Sequence, residues 1–319
     1  MTWMKLSLDT TAEAVDWVCT LLTGVKYSNK IEIVKYTETA PDIANPEVQG
    51  WAFTIHLYLA DDFHATACIE KIEQVLSPLQ RTGLAGKLRI ATVKETAIAA
   101  ASPLVHRIGQ RFVVLSPDSS YSSNVPNEIT ITLKTSLAFG SGLHPATIAI
   151  LQLLERHIVP EMNVLDLGSG SGILSVAMAK LGAQVLALDN DIVAVQSTED
   201  AARRNQVEQQ VTVKEGSLGS GSDFGHWMGG DTINNVTTIQ ATGTFDLIVA
   251  NILARLHIAL ASDYHQALRT KADAGLLIIA GFTADAEDAV NESLIAAGFE
   301  AIDCERLNEW VALAYRSVG

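Results

Sequence analysis

The chain has 319 residues, 48% hydrophobic and 18% charged, and its 36 acidic against 22 basic residues give a net charge of −14. That balance excludes a disordered chain and argues against bulk nucleic-acid binding, which needs a basic footprint. It leaves room for two domains with real cores, and an acidic surface would attract a basic protein partner. Apolar runs such as Leu276 to Ala280 are too short to cross a bilayer, and the start Met1-Thr2-Trp3-Met4-Lys5 shows no signal-peptide pattern. Cys19, Cys68 and Cys304 are scattered without metal-ligand spacing. They read as small core residues of a reducing compartment, which points to the cytoplasm and to no metal site.

Residues 3 to 9 alternate as a half-buried strand would. Thr10 or Thr11 is placed to cap a helix through Ala14, Val15, Val18, Leu21 and Leu22. Ile31 to Val34 and Ala52 to Leu59 read as strands, a helix carries Ile69, Ile72, Leu76 and Leu79, and Lys87 to Val93 is a further strand. The order βαββαβ predicts a small α+β domain of ferredoxin-like type over residues 1–94. His56 and His64 read there as solvated or core side chains. Residues 95–128 form a connecting region, with a short helix over Ala97 to Ala101, a strand over Arg111 to Leu115 and a turn-rich surface loop from Pro117 to Asn124.

The remaining residues, 129–319, read as one domain, with Glu128 to Leu133 as an alternating strand at its start. A glycine loop, Ala138 to Leu143, then leads into a helix through Ile150, Leu151 and Leu154. Pro145 suits the first turn, where its missing N–H costs nothing. Thr147 lies in the same turn, with a hydroxyl that serves either a ligand or the helix end.

Val164 to Leu167 is an apolar strand running into Gly168-Ser169-Gly170-Ser171-Gly172, and a helix follows through Leu174, Val176, Ala177, Met178, Ala179 and Leu181. Strand, glycine loop and helix is where an α/β sheet holds a nucleotide-like ligand. Glycines let the main chain approach closely, and the helix start presents open N–H groups. The next strand, Gln184 to Leu188, ends in Asp189, placed to accept hydrogen bonds from both hydroxyls of a ribose. A dinucleotide site carries G-x-G-x-x-G. Here the pattern is G-x-G-x-G, with Asp166 two residues before its first glycine. An anion there would repel a pyrophosphate but suits a ligand bearing an amino group and a sulfonium, as S-adenosylmethionine does. Asp166, Gly168, Gly170, Gly172 and Asp189 are the candidate cofactor residues; for three glycines alone, the plain alternative is a tight turn.

Val193 to Asn205 reads as a helix, and Val211 to Val213 as a strand ending in Glu215-Gly216-Ser217, near where an adenine would lie. Residues 217–244 are rich in Gly, Ser, Thr and Asn. Connections in α/β units run to roughly 2–6 residues, so this stretch is an insertion, a flexible segment or a lid, with the flexible reading favoured. The strand Phe245 to Ala250 delivers Asn251 to the carboxyl edge, beside the glycine loop. A capping residue is the plain alternative for Asn251. A helix over His257 to Leu268, a strand over Leu276 to Ala280 and a helix marked by Ala286, Val290, Leu294 and Ala297 follow. Glu300 to Leu307 and Val311 to Tyr315 then look like the hairpin that ends class I methyltransferase sheets.

From about Leu133 onward the chain resembles the bacterial ribosomal protein lysine methyltransferases that act on large-subunit ribosomal protein eleven. The resemblance rests on Leu137-Ala138-Phe139-Gly140-Ser141-Gly142-Leu143-His144-Pro145-Ala146-Thr147, on Val164 to Leu174, on Val249-Ala250-Asn251-Ile252-Leu253-Ala254, and on Trp310 before an apolar strand. It implies an α/β, Rossmann-like fold of the class I S-adenosylmethionine-dependent type, with a seven-stranded sheet. The smaller N-terminal ferredoxin-like domain would recognise the substrate. The resemblance further implies S-adenosyl-L-methionine as cofactor, contacted by Thr147, Gly168, Asp189 and Asn251, and methylation of lysine and α-amino groups of a ribosomal protein. In that reaction Asn251 is the candidate catalytic residue. Its side-chain carbonyl, with the main-chain carbonyl of Ile252, would accept the amine's hydrogens and aim its lone pair. The chain departs from the family at Lys134-Thr135-Ser136, where Asp-Pro-Gly is usual, at Leu143, where Thr is usual, and in the insertion. Two rivals stand beside this reading: an enzyme for another protein lysine or a small amine, and a non-catalytic S-adenosylmethionine-binding module.

Overall fold

The alternating residues near the N-terminus build a four-stranded antiparallel sheet in the computed structural model, which describes residues 2–25, 31–37, 50–62, 64–94, 105–117, 119, 121–123, 125–133, 141–219, 237–269 and 275–318. Its strands are β1 (Thr2–Thr10), β2 (Ile31–Lys35), β3 (Phe53–Ala60) and β4 (Arg89–Lys94), in the order β2-β3-β1-β4. Pairing of Leu6 with Leu57 and Leu8 with Ile55 puts these four side chains on one face. They pack there with Val15, Val18 and Leu22 of α1 (Ala14–Gly24) and Ile72 and Leu76 of α2 (Ala65–Arg81). The sheet-and-two-helix layer is the one that the βαββαβ order predicts.

Neither Thr10 nor Thr11 caps α1 with its side chain. Thr10 ends β1 and its hydroxyl donates to the carbonyls of Thr11 and Leu84, while the Thr11 hydroxyl is buried without a hydrogen-bond partner. The Ala14 N–H instead reaches the Thr11 main-chain carbonyl at 3.3 Å. Leu143 is 1% exposed and belongs to this N-terminal core, so the departure from Thr fills an apolar site. Two residues earlier, the Ser141 N–H donates to Asp16 Oδ1 at 2.9 Å. Of the cysteines, Cys19 is buried as expected, but Cys304 is exposed, on a strand at the edge of its sheet. The expected helix over Ala97 to Ala101 and residues 134–140 lie outside the described residues.

The chain divides into two units. Met1–His106, Leu115–Ser122 and Lys134–His144 form the first; Arg107–Val114, Ser123–Leu133 and Pro145–Gly319 form the second. Strands β5 (Val105–Ile108), β6 (Phe112–Leu115) and β7 (Ile129–Thr132) make a small sheet. The second unit then runs α3 (Pro145–His157), β8 (Asn163–Leu167), α4 (Ile173–Lys180), β9 (Gln184–Asp189), α5 (Ile192–Arg204), β10 (Val211–Glu215), β11 (Ser217–Leu218) and β12 (Thr238–Ile239). It continues through β13 (Leu247–Asn251), α6 (Ala254–Ala267), β14 (Leu276–Thr283), α7 (Ala284–Ala296), β15 (Phe299–Leu307) and β16 (Trp310–Ser317).

Seven of these strands form one sheet in the order β10-β9-β8-β13-β14-β16-β15, with β16 running opposite to the other six. Val164, Val185, Val249 and Ile278 pack on one face with residues of α3 and α4; Leu165, Leu188, Ile248 and Leu277 pack on the other with residues of α6 and α7. Burial on both faces explains why these strands read as continuous apolar runs. The strand order reverses between β8 and β13, and ligands of open α/β sheets bind at the carboxyl ends beside such a reversal. Among the described residues no helix is long and apolar enough to cross a membrane.

The two ends of the expected flexible insertion are built into the unit. Ser217 and Leu218 are buried and pair in parallel with Thr238 and Ile239. Their polar composition hides a two-residue strand, and residues 220–236 lie outside the described residues.

Candidate functional site

The carboxyl ends of β8, β9 and β13 bring Asp166, the glycine loop, Asp189 and Asn251 into one neighbourhood. The loop begins where the main chain leaves β8 and folds towards β9. Gly168 and Ser169 both donate their N–H to the Leu188 carbonyl, at 2.8 and 3.1 Å. Gly168 takes φ +78°, and a side chain there would stand 2.7 Å from Ile252 Cγ2. Glycine is therefore required twice over, by its backbone angle and by the close approach of the residue next to Asn251.

Asp189 is tied into the loop. Its Oδ2 accepts the Gly170 N–H at 2.9 Å and its Oδ1 accepts the Asp191 N–H at 3.0 Å. These bonds fix the carboxylate at the tip of β9; a carboxylate has about four acceptor positions in all, so a ligand hydroxyl remains compatible with them. Gly172 has another task. It precedes α4 at φ +80°, and a Cβ there would lie 2.8 Å from the Thr198 Cα, so this glycine lets α5 pack against the loop. Thr198 itself, fully buried, donates its hydroxyl to Ser169 Oγ at 3.0 Å and to the Gly170 carbonyl at 3.2 Å.

Asp166 is enclosed at 0% exposure. Its Oδ2 accepts a short hydrogen bond from the Ser175 hydroxyl of α4, while its Oδ1 is buried with no partner. Burial pushes its pKa up to about 7 against the opposing pull of Ser175, and the charge of Asp189 adds to the rise. A buried acceptor short of donors suits a cationic group, so the residues present fit a ligand that brings an amine to the loop.

Asn251 ends β13 and pairs with Ala280 of β14. Its Nδ2 donates to the Thr147 Oγ1 at 3.2 Å, and Thr147, 1% exposed, sits in the first turn of α3, which begins at Pro145. With Nδ2 committed to Thr147, the side-chain carbonyl is the acceptor that the Asn251 amide has left. Ile252 then crosses a second glycine. Gly281 has φ +99°, and a Cβ there would stand 2.3 Å from the Ile252 carbonyl oxygen. The fold brings Thr147, Asp166, Gly168, Gly170, Asp189 and Asn251 together at the strand ends, whereas Thr198, Ser175 and Gly281 give no sequence motif that would select them. Among the described residues no group of three or more His, Cys, Asp or Glu side chains could hold a metal ion.

The family model described as "Ribosomal protein L11 methyltransferase (PrmA)" matches residues 2–317. The chain is 38% identical to the ribosomal protein L11 methyltransferase of Chloroflexus aurantiacus over 98% of each chain. It is 35% identical to that of Herpetosiphon aurantiacus over 99% of each. Among solved structures, the ribosomal protein L11 methylase of Lactobacillus delbrueckii subsp. bulgaricus is 27% identical, with a TM-score of 0.54, covering 67% of this chain and 99% of that one.

Proposed function

The chain belongs to the ribosomal protein L11 methyltransferase family, and from that membership we propose that it methylates lysine and α-amino nitrogens of ribosomal protein L11. It is an S-adenosylmethionine-dependent methyltransferase, and its cofactor supplies an electrophilic methyl group carried on a sulfonium. Asp166 would take the cofactor's amino group on its unmatched oxygen, Asp189 would take the ribose hydroxyls, and the main chain from Gly168 to Gly172 would line the ligand. The observation that carries the reading is the Asn251 amide, held by Thr147 with its carbonyl as the open acceptor and backed by Ile252 against Gly168.

A lysine amine has an ordinary pKa of about 10.4 and must be neutral to attack. Asn251 Oδ1 and the Ile252 carbonyl would accept the hydrogens of the neutral amine and so fix the direction of its lone pair. Neither group is a strong base, so the proton leaves to water before the amine is seated. Orientation of this kind can lower a barrier by roughly 7–11 kcal/mol. The substrate is a basic protein drawn to a chain of net charge −14, the reaction belongs to the cytoplasm, and no nucleic-acid contact is needed.

Incubation with methyl-labelled cofactor and purified ribosomal proteins tests the proposal, with the modified positions read by mass spectrometry. Label on lysines and the N-terminal amine of ribosomal protein L11 is the expected result. Label confined to other proteins or small amines would refute this substrate, and cofactor binding with no transfer to any acceptor would refute the reaction.

A further inference from the structure

One fully buried titratable group stands behind Asn251 and takes no part in the reaction derived above. His257 lies one turn into α6 at 0% exposure. Its Nε2 is 2.9 Å from the Ala280 carbonyl and its Nδ1 is 3.2 Å from the Tyr264 hydroxyl. A carbonyl can only accept, so Nε2 carries the hydrogen and Nδ1 receives the Tyr264 O–H. The ring packs edge-on to Phe282, with centroids 5.6 Å apart, and Tyr264 is likewise fully buried. Burial pushes the His257 pKa down to about 4, against the pull of hydrogen bonds to the backbone at Ala280 and Ile252, so the ring is neutral near pH 7.

The carbonyl that His257 holds has a second tenant. Ala280 O also accepts the Ile252 N–H at 3.0 Å, and the neighbouring Gly281 gives the Ile252 carbonyl its close seat. The relay therefore runs from the Tyr264 hydroxyl through His257 to Ala280, and from Ala280 to the segment that follows Asn251. An apolar side chain would fill such a buried site without a desolvation cost. We propose that His257, oriented by Tyr264, is a positioning residue for methyl transfer: through Ala280 it sets the Asn251–Ile252 acceptors that seat the amine. This inference rests on the reading of Asn251 as the amine's acceptor.

Single-turnover methyl transfer with saturating cofactor, paired with calorimetric cofactor binding and thermal melts, tests it on the full-length protein. His257→Phe keeps the ring shape and loses both hydrogen bonds. It should slow transfer about tenfold or more while the cofactor dissociation constant stays within about threefold of wild type, because displaced acceptors spoil alignment more than affinity. His257→Gln can donate to Ala280 and accept from Tyr264, so it should recover most of the lost rate. Tyr264→Phe, which removes one oxygen, provides a second variant should His257→Phe fail to fold, and it should slow transfer with the same sparing of cofactor affinity. In an Asn251→Ala background, His257→Phe should add almost nothing, since the two act through one acceptor set.

Wild-type rates in both His257→Phe and Tyr264→Phe, with Asn251→Ala slow, would overturn the inference and leave the Asn251 reading standing. Equal rate losses in His257→Phe and His257→Gln, following their melting temperatures, would reduce the histidine to a packing role. A wild-type rate in Asn251→Ala would instead overturn the reading on which the inference rests.

Discussion

Two aspartates are buried near the carboxyl ends of strands, one in each of the two larger sheets, and their partners differ. Asp9 of the four-stranded sheet is 6% exposed and accepts hydrogen bonds from Arg89 at 2.5 and 2.9 Å and from Thr54 at 2.7 Å. Burial alone would raise its pKa, but the Arg89 and Thr54 hydrogen bonds and the Arg89 charge outweigh that and hold it below the ordinary value. Asp166 of the seven-stranded sheet has one hydroxyl for company, an oxygen with no partner, and a pKa raised by its burial to about 7. A saturated buried carboxylate is part of the scaffold. An unsaturated one beside a glycine loop carries an unmet acceptor, and the cost of leaving it unmatched would favour a cationic ligand there.

The largest effect belongs to the edge beside Asp166. Asn251→Ala should leave the Asp9 network and the strands intact but remove the proposed acceptor of the amine, so single-turnover transfer should fall about a hundredfold, on the order of 3 kcal/mol. Cofactor affinity should move much less. A mutant as fast as wild type would make Asn251 a strand-end cap and move the chemistry elsewhere.

Next in size is Asp189→Ala. Loss of the proposed ribose acceptor should weaken S-adenosylmethionine binding at least about tenfold, equivalent to roughly 1.5–3 kcal/mol, as read by calorimetric titration. The Gly170 and Asp191 N–H groups lose their acceptor in the same variant, so its melting temperature should fall too. Unaltered affinity would remove Asp189 from the site.

The scaffold aspartate should behave in the opposite way. Asp9→Ala strands the buried Thr54 hydroxyl, while the Arg89 side chain, 57% exposed, can turn to water. A loss of about 1–3 kcal/mol in denaturant unfolding is expected, with cofactor affinity unchanged. If affinity fell in step with stability, the contrast between the two aspartates would collapse.

The smallest effect is a slope. Below the ordinary value of 3.8, Asp166 is neutral in both folded and unfolded chains and contributes nothing to pH dependence. Between about 4 and about 7 the unfolded chain ionises this group while the folded chain keeps it protonated, so stability drains away as pH rises and levels off above that window. Asp9, with its lowered pKa, works the other way: its contribution is present above the ordinary value and is lost as pH falls. Melting curves of the cofactor-free protein should therefore lose a downward slope between pH 5 and pH 7 in Asp166→Asn. An identical slope in the variant would mean that Asp166 ionises normally.

Much of the seven-stranded unit was legible in the sequence because apolar strands and alternating glycines leave periodic marks. Asp189 and Asn251 could be placed because each directly follows such a strand. Gly172 was legible as a glycine but not in its task, since only the fold brings Thr198 against it. Ser175 is a single polar residue inside an apolar helix, while Thr198 and His257 sit among other polar residues of their helices; each reaches a partner in another element, and no spacing rule finds them. Ser217 and Leu218 were hidden for the opposite reason, a strand too short for any period within a polar stretch. Thr10 carried the right chemistry for a cap, but its place at the end of β1 gave its hydroxyl other acceptors.

The contrast between the two aspartates can be read from protons. Calorimetric binding of S-adenosylmethionine at pH 6, repeated in buffers of different ionisation enthalpy, counts protons released on binding. Asp166 is largely protonated there before binding, and pairing with the incoming amino group should drive its proton off. The expected result is net proton release that disappears in Asp166→Asn and persists in Asp9→Ala. Binding that releases no proton in the wild type, or releases the same amount in Asp166→Asn, would contradict the assignment of Asp166 to the cofactor site.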